Sequence, residues 1–291
     1  MTITPGRRTR FPLTVLSAGL ITAASLVTPA FLKIETNIPI RRSVPSASVT
    51  VVFDYWKPVL GDRLQIQFTG LPVVLDNDTD VYDLDLFDTE IEMVRTIHKS
   101  GARAICYINA GAWEDWRPDA DEYPSEIIGN NYSGWPGEKW LDIRQLDKLT
   151  PILSARLDLC KEKGFDGVEP DNLDGFQNET GFDISSPDQE KFNVWLAGQA
   201  HSRGLSIGLK NDPDQIGELV KEFDFAVTED CLAEEWCDRA LPFIRLNKPV
   251  FAVEYTDRIP SLSPYCSVAH ELGIEPILKH RELDAYRSIC D

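Results

Sequence analysis

Six polar side chains stand at the C-terminal ends of short apolar runs: Asp85, Asn109, Asp171, Lys210, Glu229 and Glu254. Several carboxylates gathered around a sugar-sized opening suit cleavage of a glycosidic bond. That reaction takes one protonated carboxyl group to hand a proton to the leaving oxygen and one ionised group beneath the anomeric carbon. Like charges and partial burial drive two carboxyl pKa values apart, so one pair can fill both roles. Lys210 would hold its nearest carboxylate ionised, either as part of the reaction or as a plain ion-pair partner. Glu169 reads as a buried, hydrogen-bonded acid beneath the opening.

Other chemistries find less support. The four histidines, His98, His201, His270 and His280, are isolated from one another, which argues against a His-based zinc site. Asp83, Asp85 and Glu169 offer the carboxylate set for a bound Mg²⁺ or Ca²⁺ as an alternative. No G-x-S-x-G elbow occurs, and no cysteine is placed as a nucleophile. No G-x-G-x-x-G or G-K-S/T motif follows the early strands. The expectation is a reaction without metal or cofactor.

Those polar ends need elements to position them. Candidate strands are Leu64–Phe68, Val81–Leu86, Ala104–Asn109, Gly167–Asp171, Leu205–Lys210, Phe225–Glu229, Val250–Glu254 and Pro276–Lys279, with Leu141–Ile143 as a further short one. Helical patterns alternate with them. Thr89 with Glu92 forms a capping box before one helix, which Gly101 ends. Thr150-Pro151 opens the next, and Gly164 closes it. Ser186-Pro187-Asp188-Gln189 starts a third, ended by Gly204. Eight strands alternating with helices predict a parallel sheet closed as a single-domain (β/α)₈ TIM barrel, with an open doubly wound sheet as the alternative.

Successive strand residues point to opposite faces. Tyr107 and Asn109 therefore share a face, as do Asp83 with Asp85, Glu169 with Asp171, Gly208 with Lys210, Val227 with Glu229, Ala252 with Glu254, and Gln65 with Gln67. The opposite, apolar sets are expected under the helices. The polar sets would then converge on the C-terminal mouth, where sites of this fold lie.

The chain of 291 residues carries a formal charge of −18, and the three arginines among its first 30 residues leave −21 for the remainder. Such acidity disfavours nucleic acid as a partner and favours cationic ones. Arg7, Arg8 and Arg10 precede an uncharged apolar run that closes at Pro29-Ala30, the order of a secretory signal peptide or an N-terminal membrane anchor over 1–30. Residues 31–49 read as a linker to a domain over 50–291, secreted or held facing outward and acting as a monomer. Export agrees with sequons at Asn77, Asn131 and Asn178 and with six cysteines. Their positions suggest Cys231–Cys237, Cys266–Cys290 and Cys106–Cys160, among fifteen possible sets of pairs.

The motifs Trp135-Pro136-Gly137-Glu138-Lys139-Trp140-Leu141-Asp142-Ile143-Arg144, Asp166-Gly167-Val168-Glu169-Pro170-Asp171-Asn172 and Gly208-Leu209-Lys210-Asn211 resemble glycoside hydrolase family 114. So do Cys106-Tyr107, Gly111-Ala112-Trp113-Glu114-Asp115-Trp116, Glu229-Asp230-Cys231 and Val250-Phe251-Ala252-Val253-Glu254-Tyr255. The resemblance, from about Trp56 to Cys290, implies a (β/α)₈ barrel cleaving α-1,4-linked galactosamine polymers internally, with Asp171 and Glu229 as the catalytic acids. Where the family usually has Asn-Glu-Gln-Cys, this chain has Thr228-Glu229-Asp230-Cys231.

On this reading Asp171 is the nucleophile and Glu229 the acid/base of a retaining mechanism. Asp85, Tyr107, Asn109, Lys210 and Glu254 contact substrate, while Asp174 binds an amine or caps a turn. Trp113, Trp116 and Trp135 either stack on sugars or pack the fold. The alternatives are an exo-acting α-galactosidase and a polysaccharide-binding module without activity. A cationic galactosamine-containing polysaccharide is the expected partner.

Overall fold

The computed structural model describes residues 55–290. The segments read as signal or anchor and as linker lie outside the described residues. Eight parallel strands follow one another around a curled sheet: β1 (Leu64–Ile66), β2 (Val81–Asp85), β3 (Arg103–Asn109), β7 (Gly167–Asp171), β8 (Ser206–Lys210), β9 (Phe225–Glu229), β10 (Val250–Tyr255) and β11 (Glu275–Lys279). All eight expected strands form, with ends moved by one or two residues at most.

Helices α1 (Ile91–Ser100), α2 (Leu146–Lys163), α3 (Ser186–Ser202), α4 (Ile216–Leu219), α5 (Leu241–Arg245) and α6 (Cys266–Leu272) fill the crossovers after β2, while β1 joins β2 without one. Beyond β11, β12 (Ser288–Ile289) pairs antiparallel to it. The seam between β11 and β1 is bridged by side chains: Lys279 Nζ donates to Gln65 Oε1 at 2.8 Å, and Gln65 Nε2 donates to the Ala285 carbonyl.

Two apolar cores lie on either side of this sheet. The larger sits under the helices and includes Leu84, Cys106, Ile108, Val168, Ile207, Leu209, Leu153 and Phe192. The smaller plugs the barrel with Leu64, Ile66, Val81, Ile105, Phe225, Val227, Phe251, Val253, Tyr255 and Ile277. The interior leaves no room for a side chain at Gly208, where a Cβ would meet the Phe225 ring at 2.3 Å.

On two strands the faces are the reverse of those expected. In β10 the large residues Phe251, Val253 and Tyr255 fill the barrel, and Val250, Ala252 and Glu254 turn to the helix side. In β1, Leu64 and Ile66 point inward, not Gln65. Parity says which residues share a face; when both sets are mostly apolar, volume decides which set enters the barrel.

Three helix starts also differ. Helix α1 begins after Glu90 without a side-chain cap, so Thr89 and Glu92 form no box. Pro151 lies inside α2, which begins at Leu146; Thr150 Oγ1 instead donates back to the Leu146 carbonyl within the first turns. The third box is real but one residue earlier, with Ser185 and Asp188 capping each other.

The long connection from β3 to α2 holds a separate antiparallel sheet, ordered β4 (Ala112–Glu114), β6 (Glu138–Leu141), β5 (Ile128–Asn131). The short strand expected at Leu141–Ile143 is β6, three residues earlier. The turn leading into β4 passes so close to the mouth that a Cβ on Gly111 would lie 1.7 Å from the Asn172 carbonyl oxygen.

All six cysteines pair as expected, and Cys106–Cys160 ties β3 to α2. That bridge spans 54 residues of chain. Loop-closure entropy then gives it about 4 kcal/mol. The double variant Cys106→Ser/Cys160→Ser is expected to melt well below the wild type in a calorimetric scan. An unchanged Tm would show that the bridge adds nothing to stability.

Candidate active site

The barrel mouth opens into a cleft of about 260 Å³ lined by Tyr107, Glu138, Asp171, Lys210, Glu229 and Tyr255, among others. Lys210 occupies its centre, 5% exposed. Its Nζ lies 3.0 Å from Asp171 Oδ1, 3.2 Å from Glu169 Oε1 and 3.6 Å from Glu229 Oε2. Burial alone would lower the Lys210 pKa, but the charges of Asp171, Glu169 and Glu229 outweigh it and hold the group well above an ordinary lysine. The ammonium is therefore permanent. Because the 3.0 and 3.6 Å legs share one nitrogen, the two mouth carboxylate oxygens lie no further apart than their sum, about 6.6 Å.

Each acid is held at both oxygens. Asp171 Oδ1 accepts from Lys210 and, at 2.8 Å, from the Asn172 backbone N–H; Oδ2 accepts from the Tyr107 hydroxyl at 3.0 Å. Glu229 Oε1 accepts from the Tyr255 hydroxyl, and Oε2 faces Asn211 Nδ2 at 3.4 Å. Asn211 Oδ1 in turn accepts the Glu229 backbone N–H. The residues directly after Asp171, Lys210 and Glu229 all take left-handed backbone, with φ of 62° at Asn172, 51° at Asn211 and 54° at Asp230. Asn and Asp tolerate that region better than other residues with side chains. Their recurrence after each mouth residue reflects the sharp turn that ends each strand there.

Beneath Lys210, Asp83 and Glu169 form a fully buried carboxyl pair. Burial first, and then the Glu169 charge, raise Asp83 well above the usual carboxylate range. Burial likewise raises Glu169, against the pull of Lys210. Burial and mutual repulsion thus disfavour two full charges at this level of the barrel. Glu169 is buried as the sequence suggests, but neither of its oxygens takes a hydrogen bond; it faces Lys210 as an ion pair instead. Lys210 Nζ stands 3.2 Å from Glu169 and Arg117 stands 2.7 Å from Asp85, so a metal ion on Asp83, Asp85 and Glu169 would compete with resident cations.

The remaining expected contacts divide. Asp85 lines the cleft, but its charge is taken by Arg117 at 2.7 Å and by the Phe87 and Asp88 backbone N–H groups. Asn109 sits one layer back: its amide donates to Glu138 Oε1 at 2.7 Å, while its Oδ1 accepts from Ala112 N and Asn172 Nδ2. Asp174 stands at the start of the short turn after β7, not on the cleft wall. Burial and then Asp171 push its carboxyl up to about 6.

Glu254 is not at the mouth. It lies on the helix side of β10 and accepts from the Leu232 and Ala233 backbone N–H groups at 2.8 and 3.1 Å, which fixes the loop that follows Glu229. Its place at the mouth is taken by Tyr255. Trp116 and Trp135 are exposed on the cleft wall, whereas Trp113 packs against the large core with its Nε1 on the Ala120 carbonyl.

Glu138, Tyr132, Tyr255 and Arg281 are among the lining residues for which the sequence suggests no role. The first two come from the inserted sheet and its hairpin. Arg281 stacks over the Tyr255 ring at 3.7 Å and pairs with Asp230 at 3.1 Å. The acid that departs from the usual motif therefore has its own local cation.

Among the described residues, the clustered potential metal ligands are Cys231, Cys237 and Glu254, and the two cysteines are disulfide-bonded to each other. No helix of the described residues is long and apolar enough to cross a membrane.

Residues 46–291 match the profile of glycoside-hydrolase family GH114. The chain belongs to that family. As a GH114 member it is a glycoside hydrolase, and its barrel is similar to the crystal structure of Aspergillus fumigatus Ega3 in complex with galactosamine. That likeness has a TM-score of 0.75 and 34% identity over 81% of this chain and 100% of the other. The glycoside hydrolase domain of PelA from Pseudomonas aeruginosa shares the GH114 fold at a TM-score of 0.64, with 15% identity over 78% of this chain and 98% of that one. An uncharacterised protein of Deinococcus radiodurans is 24% identical over 209 residues, covering 63% of this chain and 66% of its own length.

Proposed function

We propose that this GH114 enzyme is secreted or membrane-anchored and cuts α-1,4-linked galactosamine polymers at internal bonds, with retention of configuration. The observation that carries the mechanism is the single ammonium of Lys210 in contact with both Asp171 and Glu229. A spacing of roughly 5–5.5 Å between the two carboxyl groups accompanies retention, and roughly 6.5–9.5 Å accompanies inversion. The Lys210 contacts bring one oxygen of each carboxyl group to within about 6.6 Å of the other, close enough for both to act on one linkage; retention is our reading of that pair, and the first-formed anomer tests it.

Asp171, ionised and fixed by Lys210, Tyr107 and the Asn172 N–H, attacks the anomeric carbon. Glu229, reached by Tyr255 and Asn211, gives a proton to the departing glycosidic oxygen. A covalent glycosyl ester on Asp171 results. Glu229, now ionised, takes a proton from water, which attacks the same carbon and releases Asp171. Lys210 stays charged throughout and steadies whichever carboxylate carries the negative charge at each stage.

The substrate class rests on the 34% identity with Ega3, which was crystallised with galactosamine, and on the excess of acid over base in this chain. Three disulfides fit an oxidising compartment.

Mass spectrometry of products from partly deacetylated galactosaminogalactan tests the proposal. Internal cleavage predicts a spread of galactosamine-containing oligomers from the first minutes. Single galactose units alone would replace it with exo action, and a polymer of unchanged length would leave a binding module.

A further inference from the structure

On β6, Glu138 stands directly opposite Glu114 of β4. Like charges facing each other across an antiparallel pair are unfavourable unless each is answered. Glu114 is answered: Arg117 Nε and Nη2 reach its two oxygens at 2.6 and 2.8 Å. Glu138 is not, since among the described residues no Lys, Arg or His forms an ion pair with it. Its neighbour Lys139 lies over the Trp113 ring instead, 5.7 Å from the centroid.

Yet Glu138 is firmly placed. Its Oε1 accepts from Asn109 Nδ2 at 2.7 Å and from Asn172 Nδ2 at 2.8 Å. Its Oε2 has no protein partner, is not sealed from solvent, and belongs to a side chain on the cleft wall. Tyr132 and the half-exposed Trp135 of the same hairpin line that wall too. A fixed carboxylate oxygen without a cation, beside aromatic faces, is the arrangement that receives an ammonium group carried on a sugar ring. Burial, and then the Asp171 charge, push the Glu138 carboxyl up to about 7, so an arriving cation would complete its ionisation near neutrality.

We propose that Glu138 is the residue that selects amine-bearing sugars over their acetylated counterparts, its Oε2 pairing with the ring ammonium in the cleft beside Asp171. This rests on the galactosamine-polymer reading above and names the group that would discriminate. An acetamide carries no charge to pair with the carboxylate and adds bulk against Tyr132 and Trp135.

Glu138→Gln tests it with little disturbance, because a Gln carbonyl can still accept from Asn109 and Asn172 while its amide faces the cleft. NMR titrations of wild type and variant with galactosamine and with N-acetylgalactosamine, both too short to be cut, read the discrimination directly. The expected result is an amine Kd raised about tenfold or more, with the acetylated sugar changed by less than about twofold. Equal loss for both sugars would reduce Glu138 to a scaffold residue and overturn the proposal, as would an unchanged amine affinity or a wild type that binds neither sugar. A wild type that binds galactosamine through Glu138 yet cuts no galactosamine polymer would remove the hydrolase reading for that polymer and leave this one standing.

Discussion

Asp171→Asn and Glu229→Gln are each expected to lower kcat on the polymer by about 10³-fold, with Tm close to that of the wild type. General acid–base catalysis by a placed side chain contributes roughly 10²–10⁴-fold, and loss of a nucleophile is at least as severe. Folding should survive both changes, since Tyr107 can still donate to an Asn at 171 and Lys210 keeps two other carboxylates. The two variants should differ on a galactosaminide with a good leaving group. There the first step needs no proton, so Glu229→Gln should recover much of the rate of glycosyl-enzyme formation and Asp171→Asn none of it. Steady-state and single-turnover kinetics check both statements. Full activity of either variant on the polymer would remove that residue from the mechanism.

Lys210→Met should both abolish activity and cost about 3–5 kcal/mol of stability at neutral pH. Those are the consequences of taking one partner out of a buried ionic cluster. The lysine is 5% exposed and touches three carboxylates; a fourth acid, Asp83, lies beneath them in the pair with Glu169. Without the ammonium, the Glu169 pKa must rise further, because the charge of Lys210 is what opposes its burial.

The sign of the pH dependence follows from linkage. Carboxyl groups whose folded pKa lies above the unfolded value bind more protons in the folded state, so stability is greatest below the unfolded pKa and falls as pH rises through the folded one. Chemical denaturation of Lys210→Met should therefore show its deficit shrinking as pH is lowered from neutrality towards 5. A deficit that stays constant over that range would mean that lost packing, not uncompensated charge, destabilises the variant.

How far the site was legible in the sequence depended on the element that carries each residue. Asp171 and Lys210 sit on β7 and β8, where one face is apolar and the other carries small or polar residues and ends in a charge. On β9 the face ending in Glu229 also carries the larger side chains, Phe225 and Val227, so polarity and volume agree. Alternation there leaves a single sensible choice of face. On β10 both faces are apolar, so a terminal Glu254 looked like a mouth residue. The larger side chains of Phe251, Val253 and Tyr255 claim the barrel interior and carry Tyr255 to Glu229 instead. Comparing side-chain volumes on the two faces, not only polarity, would have found Tyr255.

Glu138 was harder to see as a site residue. Its strand is four residues long and belongs to an antiparallel insertion, paired with β5 in one hairpin and with β4 further back in the chain. Nothing in its neighbourhood alternates long enough to show a face. Pro151 misled for a related reason: a proline in the first turns marks a helix start by preference, and here the tertiary position of Leu149 and Leu153 in the core extends the helix ahead of it.

The most direct test of the central claim, that Asp171 and Glu229 work as nucleophile and acid/base on one linkage, is the configuration of the first product. Proton NMR of a reaction with fresh enzyme follows the reducing-end anomer before mutarotation. An α-linked polymer is expected to yield the α-anomer first, which then relaxes towards equilibrium. A first-formed β-anomer would show a single displacement by water and contradict the covalent role of Asp171.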